Sequence, residues 1–201
     1  MKLLLFALLL APVREAGAWG FRGDESGAGF QFGPAYPTAT SGYDVASRAG
    51  YAFGLHYFRC PWDWFTWGLE LDRSKSWTGK AAIVAGKEPS TRLSATTLAE
   101  LFTARVNLVP DEMWTVYVLG GAGWHSTTAK VNTLAKDGAS VKGDGPSFAA
   151  AGGLEVFTMR NVSAFFEARW QTLRLDRTMF GVESAESLSF QVGMNYRFGV
   201  K

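Results

Sequence analysis

A single cysteine, Cys60, leaves no intramolecular disulfide framework, so stability has to come from strand pairing and packing. Only two histidines are present, His56 and His125, and neither sits in a metal-ligand spacing. Beyond the first dozen residues the apolar runs break every two or three positions, far short of the ~20 residues a membrane-spanning helix needs. Charge is sparse and balanced, at 19% charged residues and a net +2, which argues against a nucleic-acid partner or a polybasic membrane patch. No metal and no cofactor is expected.

The first stretch, MKLLLFALLLAPVREAGAWG, has Lys2 as a positive start, an apolar run from Leu3 to Ala11, and Ala16-Gly17-Ala18 in small-x-small form. That is the pattern of a cleaved secretory signal peptide over residues 1–18. The expected mature chain begins near Trp19 and runs 183 residues, the 201 of the sequence less 18. No small-residue box ends in cysteine, so a lipid anchor is not expected. An exported chain without a spanning helix either dissolves or crosses a membrane as a closed sheet. With 23 Gly, 8 Trp and 15 Phe, the composition suits aromatic-rich strands joined by tight turns.

The pattern that recurs is alternation of period two, which puts one set of side chains on each face of a strand. SLSFQVGMNYRF, residues 187–198, sets Leu188, Phe190, Val192, Met194, Tyr196 and Phe198 against Ser189, Gln191, Gly193, Asn195 and Arg197. Seven earlier segments resemble it: 26–35, 48–58, 65–77, 91–108, 113–127, 147–157 and 162–172. The fourth loses its phase in its first half, where a bulge or a solvated extension is expected. The fifth is apolar on both faces for part of its length, which leaves its register open.

Connections alternate in length. Residues 60–64, 109–112 and 158–161 are short, whereas 36–47, 78–90, 128–146 and 174–187 are long and polar. Short turns at one end and long loops at the other fit a transmembrane barrel. Eight strands of ~9 to 11 residues use about half of the mature chain, and sixteen would leave no loops. The expected fold is therefore all-β, an eight-stranded antiparallel up-and-down transmembrane β-barrel occupying residues 19–201. Aromatic residues near segment ends are the candidates for interfacial girdles. Trp62, Trp64, Trp114, Phe157, Tyr196 and Phe198 fall near the short turns, and Trp77 and Trp124 approach the long loops.

These features, with the hairpin GGLEVFTMRNVSAFFEARWQ at 152–171 and a last strand ending NYRF, make the chain resemble the eight-stranded outer-membrane β-barrels of the OmpA/OmpX type. The resemblance implies an outer-membrane location in a Gram-negative-type cell, a final strand read by the barrel-assembly machinery, and contact with outer-membrane lipid and lipopolysaccharide. Gly199, Val200 and Lys201 follow Phe198, a departure from the usual terminal aromatic. The family's larger members add a peptidoglycan-binding domain, whose activity is not expected here.

On the polar faces the alternation places Glu70, Asp72, Glu155 and Glu167 with Arg105, Arg169 and Arg197, so an ion-pair network inside a barrel too narrow to hold more than its own side chains is expected. His125-Ser126 invites a lipid A hydrolase reading, but neighbours in a strand face opposite ways and no matching acid is spaced for it. No enzyme is expected. The leading function is structural, a monomer serving envelope integrity with outer loops available for adhesion or recognition. Its rivals are a narrow passive channel for small or apolar solutes, and a soluble periplasmic, lipocalin-like barrel whose apolar face would line the lumen.

Overall fold

The computed structural model describes residues 23–38, 47–78, 92–110, 113–132, 140–180 and 183–198. The expected signal segment at 1–18 lies outside these residues. The eight strands are β1 (Glu25–Pro37), β2 (Ser47–Trp62), β3 (Phe65–Thr78), β4 (Arg92–Asn107), β5 (Trp114–Asn132), β6 (Ser140–Met159), β7 (Val162–Arg174) and β8 (Ser184–Phe198). A one-turn helix, α1 (Arg177–Phe180), lies between β7 and β8. Each strand pairs antiparallel with the next, and β1 pairs with β8, so the sheet closes on itself.

Following partners from Gly29 through His56, Glu70, Leu101, Gly123, Ser147 and Leu173 leads to Ala185 on β8. Gly29 itself pairs with Asn195, ten residues further along the same strand. A stagger of ten over eight strands, at ~3.3 Å per residue and ~4.8 Å between strands, corresponds to a tilt of about 40°. That tilt sets the height of the outer surface. On β5 the outward positions run Trp114, Val116, Val118, Gly120, Ala122, Trp124, and the ten steps between the two tryptophans rise about 25 Å along the axis, the height of an outer-membrane apolar band.

The two faces differ sharply. Phe32, Leu69, Phe102, Val118 and Phe166 point outward and are about half exposed, whereas Glu155, Arg169, Gln191 and Arg197 point inward and are 0–1% exposed. This is the reverse of a lipocalin-like barrel, and the soluble alternative is corrected on that ground. Small apolar clusters pack inside at both ends, Phe58 with Cys60 and Phe157 near the short turns, and Ala99 with Leu101 and Ala149 towards the long loops. Room for the larger inward rings comes from facing glycines. A Cβ on Gly27 would collide with the Phe58 ring, one on Gly153 with Tyr117, and one on Gly193 with Phe165.

Three expectations change. The fourth strand has no bulge: its ladders to β3 and β5 run without a shift from Arg92 to Asn107. The lost phase arises because Glu100 faces outward while Leu101 is buried inside. The long connection between the fifth and sixth strands shrinks, because β5 continues to Asn132 and β6 begins at Ser140. Finally, Phe157 is not an interfacial aromatic; it points into the lumen at 1% exposure.

Candidate functional site in the barrel lumen

The alternation that gives each strand a lipid face also carries its charges inward, where no bulk water pays for their desolvation. They survive there by pairing. Two groups form. Towards the long loops, Arg169 on β7 is gripped by Glu70 on β3, one carboxylate oxygen per guanidinium nitrogen, with Nη2 donating to Oε2 at 2.9 Å and Nη1 to Oε1. Arg169 Nε donates to Glu167 Oε1 at 2.8 Å, and Asp72 Oδ2 stands 3.9 Å from Nη1. Gln31 donates to Glu70 at 2.5 Å and the Tyr117 hydroxyl to Glu167 at 2.9 Å. Asp72 Oδ1 has no hydrogen-bond partner among the described residues.

Towards the short turns, Glu155 on β6 is fully buried and collects three hydrogen-bond donors and a second arginine as an ion pair. Arg105 Nη2 lies 2.5 Å from Oε2, while Arg197 Nη2 at 3.2 Å, the Asn195 amide at 2.9 Å and the Ser163 hydroxyl all reach Oε1. Arg197 also pairs with Glu25 at 3.3 Å, and its guanidinium lies 4.5 Å from the Phe157 ring centroid and 5.5 Å from that of Phe58. Arg105 stacks on Tyr117 at 3.6 Å. Such stacking suits the flat, weakly hydrated guanidinium.

The seven charged residues expected inside are therefore brought together in two groups rather than one, Glu70, Asp72, Glu167 and Arg169 in the first and Arg105, Glu155 and Arg197 in the second. Sequence reasoning missed Glu25, which begins β1 one residue before the expected strand and shares the inward parity of Gln31. Tyr117 was also missed, in the strand whose register was open, although it joins the groups by serving Glu167 with its hydroxyl and Arg105 with its ring. Of the expected interfacial residues, Trp62, Trp64, Trp114, Tyr196 and Phe198 lie exposed by the short turns, with Trp62 and Trp64 stacked at 5.7 Å. Trp124 is exposed at the other rim and donates to Asp144 at 3.4 Å. Trp77 lies in β3, but its side chain is outside the described residues.

His56 is an interior residue, 2.6 Å from Asn195 Oδ1. His125 is buried, donates from Nε2 to the Arg174 carbonyl at 2.8 Å and sits 3.0 Å from Thr127 Oγ1, while Ser126 points outward and is exposed. The histidine and serine do not converge. No group of three or more His, Cys, Asp or Glu side chains suited to a metal occurs among the described residues.

A closed, staggered barrel with an apolar outer wall and a charged lumen agrees with the family comparison, in which the model of the outer membrane protein beta-barrel domain matches residues 3–198. The chain belongs to the outer-membrane β-barrel family. Within that family, its fold is similar to that of Neisserial surface protein A, at 14% identity and a TM-score of 0.59 over 86% of this chain and 97% of that one. It is also similar to Ail, the attachment invasion locus protein of Yersinia pestis, whose structure in complex with the heparin analogue sucrose octasulfate gives 15% identity and a TM-score of 0.55 over 88% and 99%. At these identities the likeness is one of fold. No curated protein matches the sequence.

Proposed function

We propose that this outer-membrane barrel is a structural element of the envelope, monomeric and non-catalytic, with a lumen sealed by its own side chains and outer loops that meet other molecules. The observation that supports this reading best is the contrast between faces: an apolar belt about 25 Å tall outside, and ion pairs inside whose side chains are buried, Arg105 being the most exposed of them at 12%. A barrel of eight strands has an interior about as wide as its own side chains, and here arginines and carboxylates fill it. The passive channel is the alternative, and the paired charges across the lumen weigh against it.

The test is electrophoresis of purified outer membranes in mild SDS, with and without boiling, followed by planar-bilayer recording. A compact band that shifts on heating, with no resolved openings, is expected. Recovery in the soluble periplasmic fraction, or stable large channels from the wild-type protein, overturns the reading.

The same reading has lipid and lipopolysaccharide as partners, and the barrel-assembly machinery as the reader of the last strand. Lys130 and Lys142 are exposed on the β5–β6 extension, beyond Trp124 and so above the apolar belt. Lys80, Lys87 and Lys136 belong to the same loop set and lie outside the described residues. Reversing all five charges is expected to weaken association with lipopolysaccharide, measured by co-purification, and unchanged association counts against these lysines as the contact.

A further inference from the structure

The lumen contains a cavity of about 50 Å³ at mid-depth, and both charged groups open onto it. Glu70, Glu167 and Arg169 line it from the long-loop side, and Arg105, Tyr117 and Asn195 from the short-turn side. One buried water takes ~15 Å³ of such space and two to four polar partners. The cavity therefore has room for about three waters, and its wall is rich in donors and acceptors. A pocket of this size and lining suits water.

The two groups differ in depth. Arg197 stands one residue from the end of β8, and its partner Glu25 is the first residue of β1, so this group spans the barrel at its short-turn end beside the Phe58, Cys60 and Phe157 cluster. Arg169 sits seven residues up β7, and Glu70 five residues up β3, so the other group spans the barrel nearer its middle. Tyr117 touches both groups, giving its hydroxyl to Glu167 and its ring to Arg105.

We propose that the lumen is closed twice, by two ion-pair layers in series with a hydrated chamber between them, and that either layer alone blocks small ions. The proposal rests on the reading of the protein as a sealed membrane barrel. An ion that passes one layer enters a polar chamber but meets a second set of paired charges. Water reaching the chamber from one side does not make a continuous path.

Planar-bilayer recording of the wild type, Arg169→Ala, Arg197→Ala and the double variant tests this, with the heat-dependent shift in electrophoretic mobility used first to confirm that each is folded. The wild type and both single variants are expected to show no resolved openings, and the double variant to pass currents at least tenfold above baseline. A single variant that conducts as well as the double, over a silent wild type, overturns the series arrangement alone. A folded double variant that stays closed also overturns it, by showing that these layers are not the barrier. Openings in the wild type overturn the sealed-barrel reading itself. If the alanine variants do not fold, the same comparison with Arg169→Gln and Arg197→Gln keeps a polar side chain in each layer and decides the matter in the same way.

Discussion

Glu70 and Asp72 are two residues apart on the same inward face of β3, yet Arg169 serves them unequally. Glu70 takes two charge-assisted hydrogen bonds from the guanidinium and one from Gln31, while Asp72 is 3.9 Å away with its other oxygen unpartnered. The energetics should differ accordingly. Glu70→Gln is expected to cost ~1.5–3 kcal/mol, the usual range for a hydrogen bond to a charged group. Asp72→Asn removes one of three carboxylates that crowd a single arginine, and is expected to leave stability within about 0.5 kcal/mol of wild type or to raise it. Urea unfolding in detergent micelles, followed by tryptophan fluorescence, checks both. An Asp72→Asn loss as large as that of Glu70→Gln would show that Asp72 has a partner the geometry does not reveal. Arg169→Ala leaves all three carboxylates without their cation, and the expected loss is larger, about 3–5 kcal/mol.

For a whole strand, what the outward face reads is depth in the lipid. Val118 lies near the middle of the span between Trp114 and Trp124 on β5, and Ser126 is the next outward position beyond Trp124. Arginine at the bilayer midplane costs ~2–4 kcal/mol and near the interface ~0–1. Val118→Arg is therefore expected to destabilise the barrel by the larger amount and Ser126→Arg by the smaller, in the same unfolding experiment carried out in lipid vesicles. Equal costs would mean that the belt does not end at Trp124. This dependence also explains what could be read in the sequence. β7 and β8 alternate cleanly because along most of their length the outward residues are apolar and meet lipid while the inward ones are mostly polar, Phe165 and Leu173 being the inward exceptions on β7. β5 does not, because Gly120 and Ala122 face outward while Leu119 and Gly121 face in, and small residues on both faces erase the contrast. β4 was obscured by one exchange, Glu100 outward and Leu101 inward. The first turn of β6, SVKGDGP, lies above the lipid, where there is no apolar solvent to impose alternation, and it reads as loop although it pairs with β5 throughout.

At the level of the whole barrel, alternation and loop asymmetry were enough to give eight strands, closure and an inward set of seven charges. The division of those charges was not legible, because it depends on which strands face each other across the lumen, and that follows from the ten-residue stagger rather than from any local pattern. The division has an energetic signature. Residues that share a partner are strongly coupled, and those without one add within ~0.3–0.5 kcal/mol. Glu70 and Arg169 share a direct two-point contact, so combining Glu70→Gln with Arg169→Ala should cost much less than the two losses summed, since the second substitution removes an interaction already broken. Arg169 pairs with Glu70, Asp72 and Glu167, and Arg197 with Glu25 and Glu155, so the double variant Arg169→Ala with Arg197→Ala should lose close to the sum. The four-variant cycles, measured by urea unfolding, compare the two couplings directly. A coupling above ~1 kcal/mol between the two arginines would mean that Tyr117, hydrogen-bonded to Glu167 and stacked under Arg105, transmits strain between the layers. Repeating the cycle in a Tyr117→Phe background, which keeps the ring and removes the hydroxyl, should then abolish that coupling.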